Sequence, residues 1–192
     1  MKSALTSLTC VLLLVTLTSA GCGTYLSRYD YTPQPGEMTV DVPDTANDPD
    51  ARVLVTVVGI RQSLPDGSKG QGVDIKLRVE NLGSEVVRFN PADVVVVTSS
   101  LTPLPGPLAP PASVTLAAME DATVMLTFAL PDEVYASDDT MAGLNVRVPL
   151  HVADRTVKRG IGFNRQYDEI DDHYRYYPPP YFHGYYFYHR HW

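Results

Sequence analysis

Cysteine is almost absent from this sequence of 192 residues. The two cysteines, Cys10 and Cys22, both lie near the N-terminus, so no thiol follows residue 22. The rest of the chain therefore has no means of forming a disulfide, a Cys-ligated metal site or a thiol nucleophile. A secreted domain without disulfides must depend on an apolar core for its stability.

Positive charge is also scarce. The chain has 15 Lys and Arg against 22 Asp and Glu, which gives a formal net charge of -7. General binding of nucleic acid or of anionic lipid depends on clustered Lys and Arg, so this composition disfavours both. We therefore expect no nucleic-acid partner.

Catalytic motifs are missing as well. The sequence has no nucleophile elbow, no phosphate-binding glycine loop and no HExxH zinc motif. The one histidine between residues 52 and 166 is His151, at the end of a predicted strand, where a structural role is the usual one. Asp132, Glu133, Asp138 and Asp139 form either a Ca²⁺ site or a solvated acidic loop, and their spacing matches no EF-hand. We expect no enzyme and assign no catalytic residue.

The N-terminus has an ordered pattern. A short start with Lys2 leads to an apolar run from Val11 to Leu17 and then to Thr18-Ser19-Ala20-Gly21-Cys22. This order resembles the signal peptide of a bacterial lipoprotein. The resemblance implies that residues 1–21 are removed, that Cys22 carries diacylglycerol on its thiol, and that its freed amine carries a fatty acyl chain such as palmitate. The membrane is then a partner through this anchor, and two or three acyl chains would hold the protein on the membrane almost permanently.

Three other interpretations of the N-terminus remain open. A transmembrane helix needs about 20 apolar residues, and this run is shorter and contains Thr and Ser. An ordinary secretory signal, cleaved after Ala20, fits the small-x-small pattern Thr18-Ser19-Ala20. The third interpretation is chance apolarity at the start of a cytosolic protein.

Residues 22–51 are predicted to form a flexible tether. Pro33-Gln34-Pro35-Gly36 has turn chemistry, and acidic residues with little apolar content follow it. A tether of this length has a root-mean-square span of roughly 30 Å and acts as a spacer between domain and lipid. Two alternatives place parts of it on the domain. Met38 to Val42 alternates like an edge strand, and three tyrosines, at positions 25, 29 and 31, are able to pack there.

Residues 52–166 have the pattern of a series of short strands. In the clearest one, Val73 to Asn81, apolar residues alternate with charged ones, so Asp74 and its neighbours on that face are expected in water. Other alternating or β-branched runs cover 53–58, 85–90, 94–98, 114–118, 124–130, 144–150 and 156–163. Pro91 interrupts this series, and five prolines exclude a central strand between Leu101 and Pro111. Seven or so short strands predict an all-β fold, an antiparallel β-sandwich.

Two local motifs indicate a family of domains. Val79-Glu80-Asn81-Leu82-Gly83, followed by Phe89-x-Pro91-x-Asp93 before a valine strand, resembles the small immunoglobulin-like domains of bacterial lipoproteins. Telokin-like and late-embryogenesis-abundant-like sandwiches are similar to these domains. Pro110-Pro111-Ala112-Ser113 stands where such domains often have Pro-Gly-Glu or Pro-Gly-Ser. The resemblance covers about Arg52 to Arg165, and it implies an immunoglobulin-like sandwich with an interaction role and no catalytic residue.

The tail, residues 167–192, differs in composition from the domain. An acidic run, Asp168 to Asp172, precedes a stretch dominated by Tyr, Phe, Pro and His. Four interpretations stay open: a disordered end, a segment whose rings stack on glycan, peptidoglycan or a protein, a metal site, and a return onto the sandwich edge. The metal site would use His183, His189 and His191, because neutral imidazole is a common ligand. Zn²⁺, Cu²⁺ or Ni²⁺ are the ions expected there, and no other cofactor is expected.

Together these features predict a lipid-anchored protein of the bacterial cell envelope, at the outer membrane or facing the periplasm. Its domain is expected to be a non-enzymatic interaction or scaffolding module, with an envelope protein or glycan as its unidentified partner. The alternative is a metal-binding surface protein that acts through the histidines of its tail.

Overall fold

A computed structural model describes residues 25–26, 29–41, 49–136 and 139–167. Within these residues the fold has ten strands and two short 3-10 helices, Pro91–Asp93 and Asp139–Met141. The strands are β1 (Tyr29–Thr32), β2 (Gly36–Val40), β3 (Ala51–Ser63), β4 (Lys69–Asn81), β5 (Val87–Phe89), β6 (Val95–Thr98), β7 (Val114–Leu116), β8 (Asp121–Ala129), β9 (Gly143–Val152) and β10 (Arg155–Tyr167). The prediction of an all-β fold is confirmed.

The strands form two antiparallel sheets. Sheet A has the order β2-β3-β4-β8, and sheet B has the order β1-β10-β9-β5-β7, with β6 also paired to β9. Apolar side chains from both sheets meet in one buried core. On β4 these are Val73, Ile75, Leu77 and Val79, each at most 1% exposed, as the alternation predicts. The predicted antiparallel sandwich is therefore present, with more strands than the seven or so expected.

β5 and β6 are two halves of one interrupted strand beside β9. β5 pairs with residues 150–152 of β9, and β6 pairs with residues 144–147. Between them the chain leaves the ladder in the 3-10 helix Pro91–Asp93, which Asn90 caps by accepting the Ala92 N–H at 3.3 Å. The predicted interruption at Pro91 is confirmed. Pro149 of β9 lies beside this break, where a strand tolerates a residue without an N–H.

The domain begins earlier than the sequence indicates. β1 pairs with β10, and β2 pairs with β3 as an edge strand of sheet A. Tyr31 is fully buried, and its hydroxyl donates to the Met141 carbonyl at 2.7 Å. Met38 and Val40 are buried as well, so the edge-strand alternative is the correct one for Gly36–Val40. The prediction that all of residues 22–51 form a flexible tether is wrong for 29–40, because these side chains bury enough apolar surface to hold two strands in place.

The proline-rich segment after β6 runs along strands of both sheets. The Leu104 N–H donates to the Val96 carbonyl at 2.8 Å, and the Leu108 N–H donates to the Thr127 carbonyl at 2.8 Å. The segment therefore lies against β6 of sheet B and β8 of sheet A. It forms only isolated bridges there, as expected from prolines that lack a donor.

Among the described residues, none of the helices is long and apolar enough to cross a membrane.

Candidate functional site

The outward face of sheet B has a cleft beside the β5–β6 break. Alternate residues of a strand share one face, so β9 contributes Arg147, Pro149 and His151. Their partners on β10 are Gly160, Lys158 and Thr156, in that order. The lining residues are Asp93, Val95, Arg147, Pro149, His151, Thr156, Lys158, Arg159 and Gly160. The floor is low because Gly160 has no side chain and Pro149 has a compact one.

The cleft has the size of a ligand site. Its volume is about 550 Å³, and pockets that bind small molecules span about 300–1,000 Å³. Val95, 40% exposed, adds an apolar contact beside the cations. His151 lies on this exposed face, where its Nδ1 is 2.9 Å from the Thr156 hydroxyl oxygen. That contact holds the imidazole ring beside the basic side chains.

Several cations without an ion pair lie together on this face. On sheet A, Arg52 and Arg78 each contact two carboxylates within 4.0 Å. On sheet B, by contrast, the exposed Arg88, Arg147 and Lys158 form no ion pair among the described residues. A chain of net charge -7 thus has a local basic surface, which composition alone does not reveal.

Two cations that line the cleft, Arg147 and Lys158, and Arg88 beside it on β5 are regularly spaced. Arg147 pairs with Gly160, Lys158 lies opposite Pro149, and Arg88 of β5 lies opposite His151. Arg147, Pro149 and His151 follow each other at two-residue steps along β9. The three cations therefore stand at successive levels, about 7 Å apart in the strand direction, but on three adjacent strands, β9, β10 and β5.

A second feature is a buried carboxylate on the outward face of sheet A. Asp74 is 0% exposed, so the prediction that it lies in water is wrong. Arg61 donates to its Oδ2 from Nε at 2.9 Å and from Nη2 at 2.6 Å. The Thr127 hydroxyl donates to Oδ1 at 2.6 Å, and the Tyr25 hydroxyl donates to Oδ2 at 2.5 Å. These partners cover the carboxylate and replace the water that it would otherwise bind.

This cluster fixes the start of the described chain on sheet A. The Arg61 guanidinium lies 5.9 Å from the centre of the Tyr25 ring, and the Leu26 N–H donates to the Ile60 carbonyl at 2.8 Å. Gly59 makes room for the ring, because a Cβ there would lie 3.1 Å from Tyr25. Tyr25 is thus held by a hydrogen bond, a cation–π contact and a shaped surface. The alternative interpretation of residues 22–51, in which Tyr25 packs on the domain, is confirmed.

The electrostatic effects within the cluster are mutual. Burial, followed by the hydrogen bond to Asp74, raises the pKa of Tyr25. Burial alone would lower the pKa of Arg61, but the hydrogen bonds and charges of Asp74 and Tyr25 outweigh it and raise that pKa. Both shifts keep Tyr25 neutral and Arg61 charged, the states in which they donate to Asp74.

The site residues expected from the sequence lie mostly elsewhere. Cys22 and the tail histidines His183, His189 and His191 are outside the described residues, so lipid attachment and metal binding there stay predictions. The described parts of the chain hold no group of three or more His, Cys, Asp or Glu suited to a metal ion.

Sequence reasoning missed the basic cleft. The available signal was the spacing of Arg147 and His151, which places both on one face of a strand.

Comparison with known proteins gives little beyond these features. No family model and no curated protein matches the chain. Among solved structures, the yjhA protein from Bacillus subtilis has 13% identity and a TM-score of 0.34, covering 50% of this chain and 71% of its own. The structural genomics target SoR45 has 10% identity and a TM-score of 0.41, covering 62% and 88%. The C-terminal domain of wzt has 12% identity and a TM-score of 0.35, covering 75% and 80%. Similarity at this level carries no argument about function.

Proposed function

We propose that this chain is an envelope lipoprotein, anchored through Cys22, whose β-sandwich is a non-enzymatic interaction or scaffolding module. The sequence from Lys2 to Cys22 supports the anchor, and the exposed cations at the basic cleft support the interaction role. Tyr25, which is held on sheet A, lies only three residues after Cys22, a distance that the backbone spans with at most about 11 Å. A lipid on Cys22 therefore holds the sandwich directly at the bilayer surface, without the spacer of roughly 30 Å expected from a free tether.

The same geometry gives the anchored sandwich an orientation. The Tyr29 N–H donates to the Leu26 carbonyl at 3.4 Å, and Tyr29 pairs with Tyr167 at the end of β10. The start of the described chain and the end of β10 thus lie at one end of the sandwich. Lys158 lies nine residues before Tyr167 on β10, which is about 30 Å along the strand. An anchored sandwich that stands upright on this end presents the basic cleft to a partner in the surrounding compartment.

Lipid attachment is tested by mass spectrometry of the full chain produced in a bacterium. The expected N-terminal peptide begins at Cys22, carries diacylglycerol on sulfur, and is acylated on its amine. Cys22→Ser should leave the membrane fraction for the soluble one, whereas the matched control Cys10→Ser should stay in the membrane fraction. An unmodified thiol, an N-terminus at Gly21, or sedimentation of Cys22→Ser with membranes would show that the protein is not anchored in this way.

A further inference from the structure

The basic cleft of sheet B has a charge pattern that suits one kind of ligand. We infer that it binds an acidic protein segment in extended conformation, whose carboxylates repeat at every second residue. This inference does not depend on the lipid anchor, because the cleft is formed entirely by described residues of the sandwich.

The positive charge of the cleft indicates a negatively charged ligand. Arg147 and Lys158 are exposed and have no carboxylate partner among the described residues, and Arg88 adds a third such cation beside His151. Cations gathered on one surface of an acidic chain attract an anionic partner and speed its encounter. In the part of the chain that the structure describes, Asp93, at the rim formed by the β5–β6 break, is the one carboxylate that lines the cleft.

The spacing of the cations sets the form of the ligand. Arg147 of β9, Lys158 of β10 and Arg88 of β5 stand at three successive levels, about 7 Å apart in the strand direction, and the last two lie on opposite sides of β9. Side chains on one side of an extended peptide repeat with the same period, because alternate residues share a face. An extended peptide lying along β9 can therefore place one carboxylate at each level.

Two features favour a peptide over a uniformly anionic polymer or a glycan. Asp93 is exposed at the rim of the cleft and can accept hydrogen bonds, which backbone N–H groups donate and a chain of phosphates does not. Among the described residues, no Tyr, Phe or Trp lines the cleft, so these residues offer no platform on which sugar rings could stack. Val95 and Pro149 instead offer small apolar contacts between the charges.

The experiment measures fluorescence anisotropy of a labelled peptide of alternating Asp and Thr, titrated with the purified full chain at low salt. A peptide of the same composition with all Asp in one block tests the spacing, and polyphosphate tests the alternative of a general polyanion site. We expect the alternating peptide to bind more tightly than the block peptide, and added salt to weaken it. Equal binding of the two peptides, tighter binding of polyphosphate, or no binding of the alternating peptide would overturn the inference.

Variants locate the binding surface. Arg147→Gln and Lys158→Gln should each weaken binding about two- to fivefold, the range for one exposed ion pair. Both side chains are exposed and pair with no buried group, so the fold should be retained. Lys76→Gln, on the outward face of sheet A, is the matched control and should bind like the unmodified chain. If Lys76→Gln weakens binding as much as the cleft variants do, the cleft is not the site.

Filling the floor tests the cleft without changing its charge. A Cβ at Gly160 would lie 3.2 Å from Asn145 Oδ1 and 3.4 Å from Arg147 Cγ, so Gly160→Val places bulk between the cations. This substitution should weaken binding of the alternating peptide several-fold while leaving the urea unfolding midpoint nearly unchanged. Unaltered peptide affinity in a folded Gly160→Val chain would show that the ligand does not enter the cleft.

Discussion

Removing Arg61 should destabilise the sandwich far more than removing an arginine on its surface. Arg61→Gln takes away the charge that faces Asp74, whose side chain is 0% exposed, but leaves the carboxylate buried. A carboxylate in that position has lost its water and now lacks its counter-ion, so its desolvation is no longer offset. The substitution therefore tests whether Arg61 is what allows a charge to be buried under Tyr25.

The expected magnitude follows from the contacts that remain. Breaking a buried ion pair by removing one partner costs about 3–5 kcal/mol. The Thr127 and Tyr25 hydroxyls still donate to Asp74, and the Arg61 side chain is 15% exposed, so the lower end applies. We expect a loss of about 3 kcal/mol in the free energy of unfolding. At about 2–4 °C per kcal/mol for a domain of this size, the midpoint of thermal unfolding falls by about 6–12 °C.

Urea unfolding of matched variants measures this difference. Arg78→Gln is the control, because Arg78 also contacts carboxylates, Glu80 at 3.1 Å and Asp121 at 3.2 Å, yet Arg78 and Asp121 are each 49% exposed. Exposed pairs contribute about 0–1 kcal/mol, so this variant should lose little. Combining Arg61→Gln with Asp74→Asn removes the buried charge together with its partner and should recover part of the loss.

Either of two results would refute this role of Arg61. If Arg61→Gln loses no more stability than Arg78→Gln, burial of Asp74 does not depend on its counter-ion. If the double variant is less stable than Arg61→Gln alone, the unpaired charge of Asp74 is not the source of the loss.

Two further predictions concern turns next to β4. Asn81 is buried, and its Nδ2 lies 2.7–3.1 Å from three backbone carbonyls, so Asn81→Ala should lower the free energy of unfolding by about 2–3 kcal/mol, measured in urea. A loss in the free energy of unfolding smaller than that of the control Arg78→Gln would contradict this prediction. At the β3–β4 turn, the Ser68 hydroxyl and backbone N–H both bond to Asp66 and lower the pKa of that carboxyl below 3.8. Ser68→Ala should raise it again in an NMR titration. Because the pKa is lowered in the folded state, the stability linked to Asp66 is present above pH 3.8 and is lost as the pH falls through the folded value. An unchanged titration would show that the hydroxyl has no such effect.

The strand pattern of the sandwich was predictable because it depends on neighbouring residues. The alternation in β4 and β9 and the break at Pro91 are visible within ten residues of sequence, and all three appear in the structure. The tether was predicted from turn residues and acidic composition, which outweighed the alternation from Met38 to Val42. In the structure Gly36–Val40 is a strand paired with β3, because tertiary contacts decide such pairing more than local composition does.

The site features depended on residues that are distant in the chain. The burial of Asp74 needs Tyr25, 49 residues earlier, and Thr127, 53 residues later, so alternation on its own strand could not reveal it. The cleft requires the register that places Arg88, Arg147 and Lys158 at successive levels. Net charge gave the opposite expectation, because it sums all charges of the chain and does not show which cations lie together on one face.

The proline-rich segment also affects how membrane-anchored copies of the protein can interact with each other. Molecules confined to a bilayer, as proposed for Cys22, meet each other at high local concentration and in a common orientation. An open strand edge would then invite pairing with the next molecule. Here the segment carrying Leu104 and Leu108 occupies positions beside β6 and β8, and its prolines present no donors to a neighbour. Crowded copies are thus kept from joining through these two strands into a continuous intermolecular sheet.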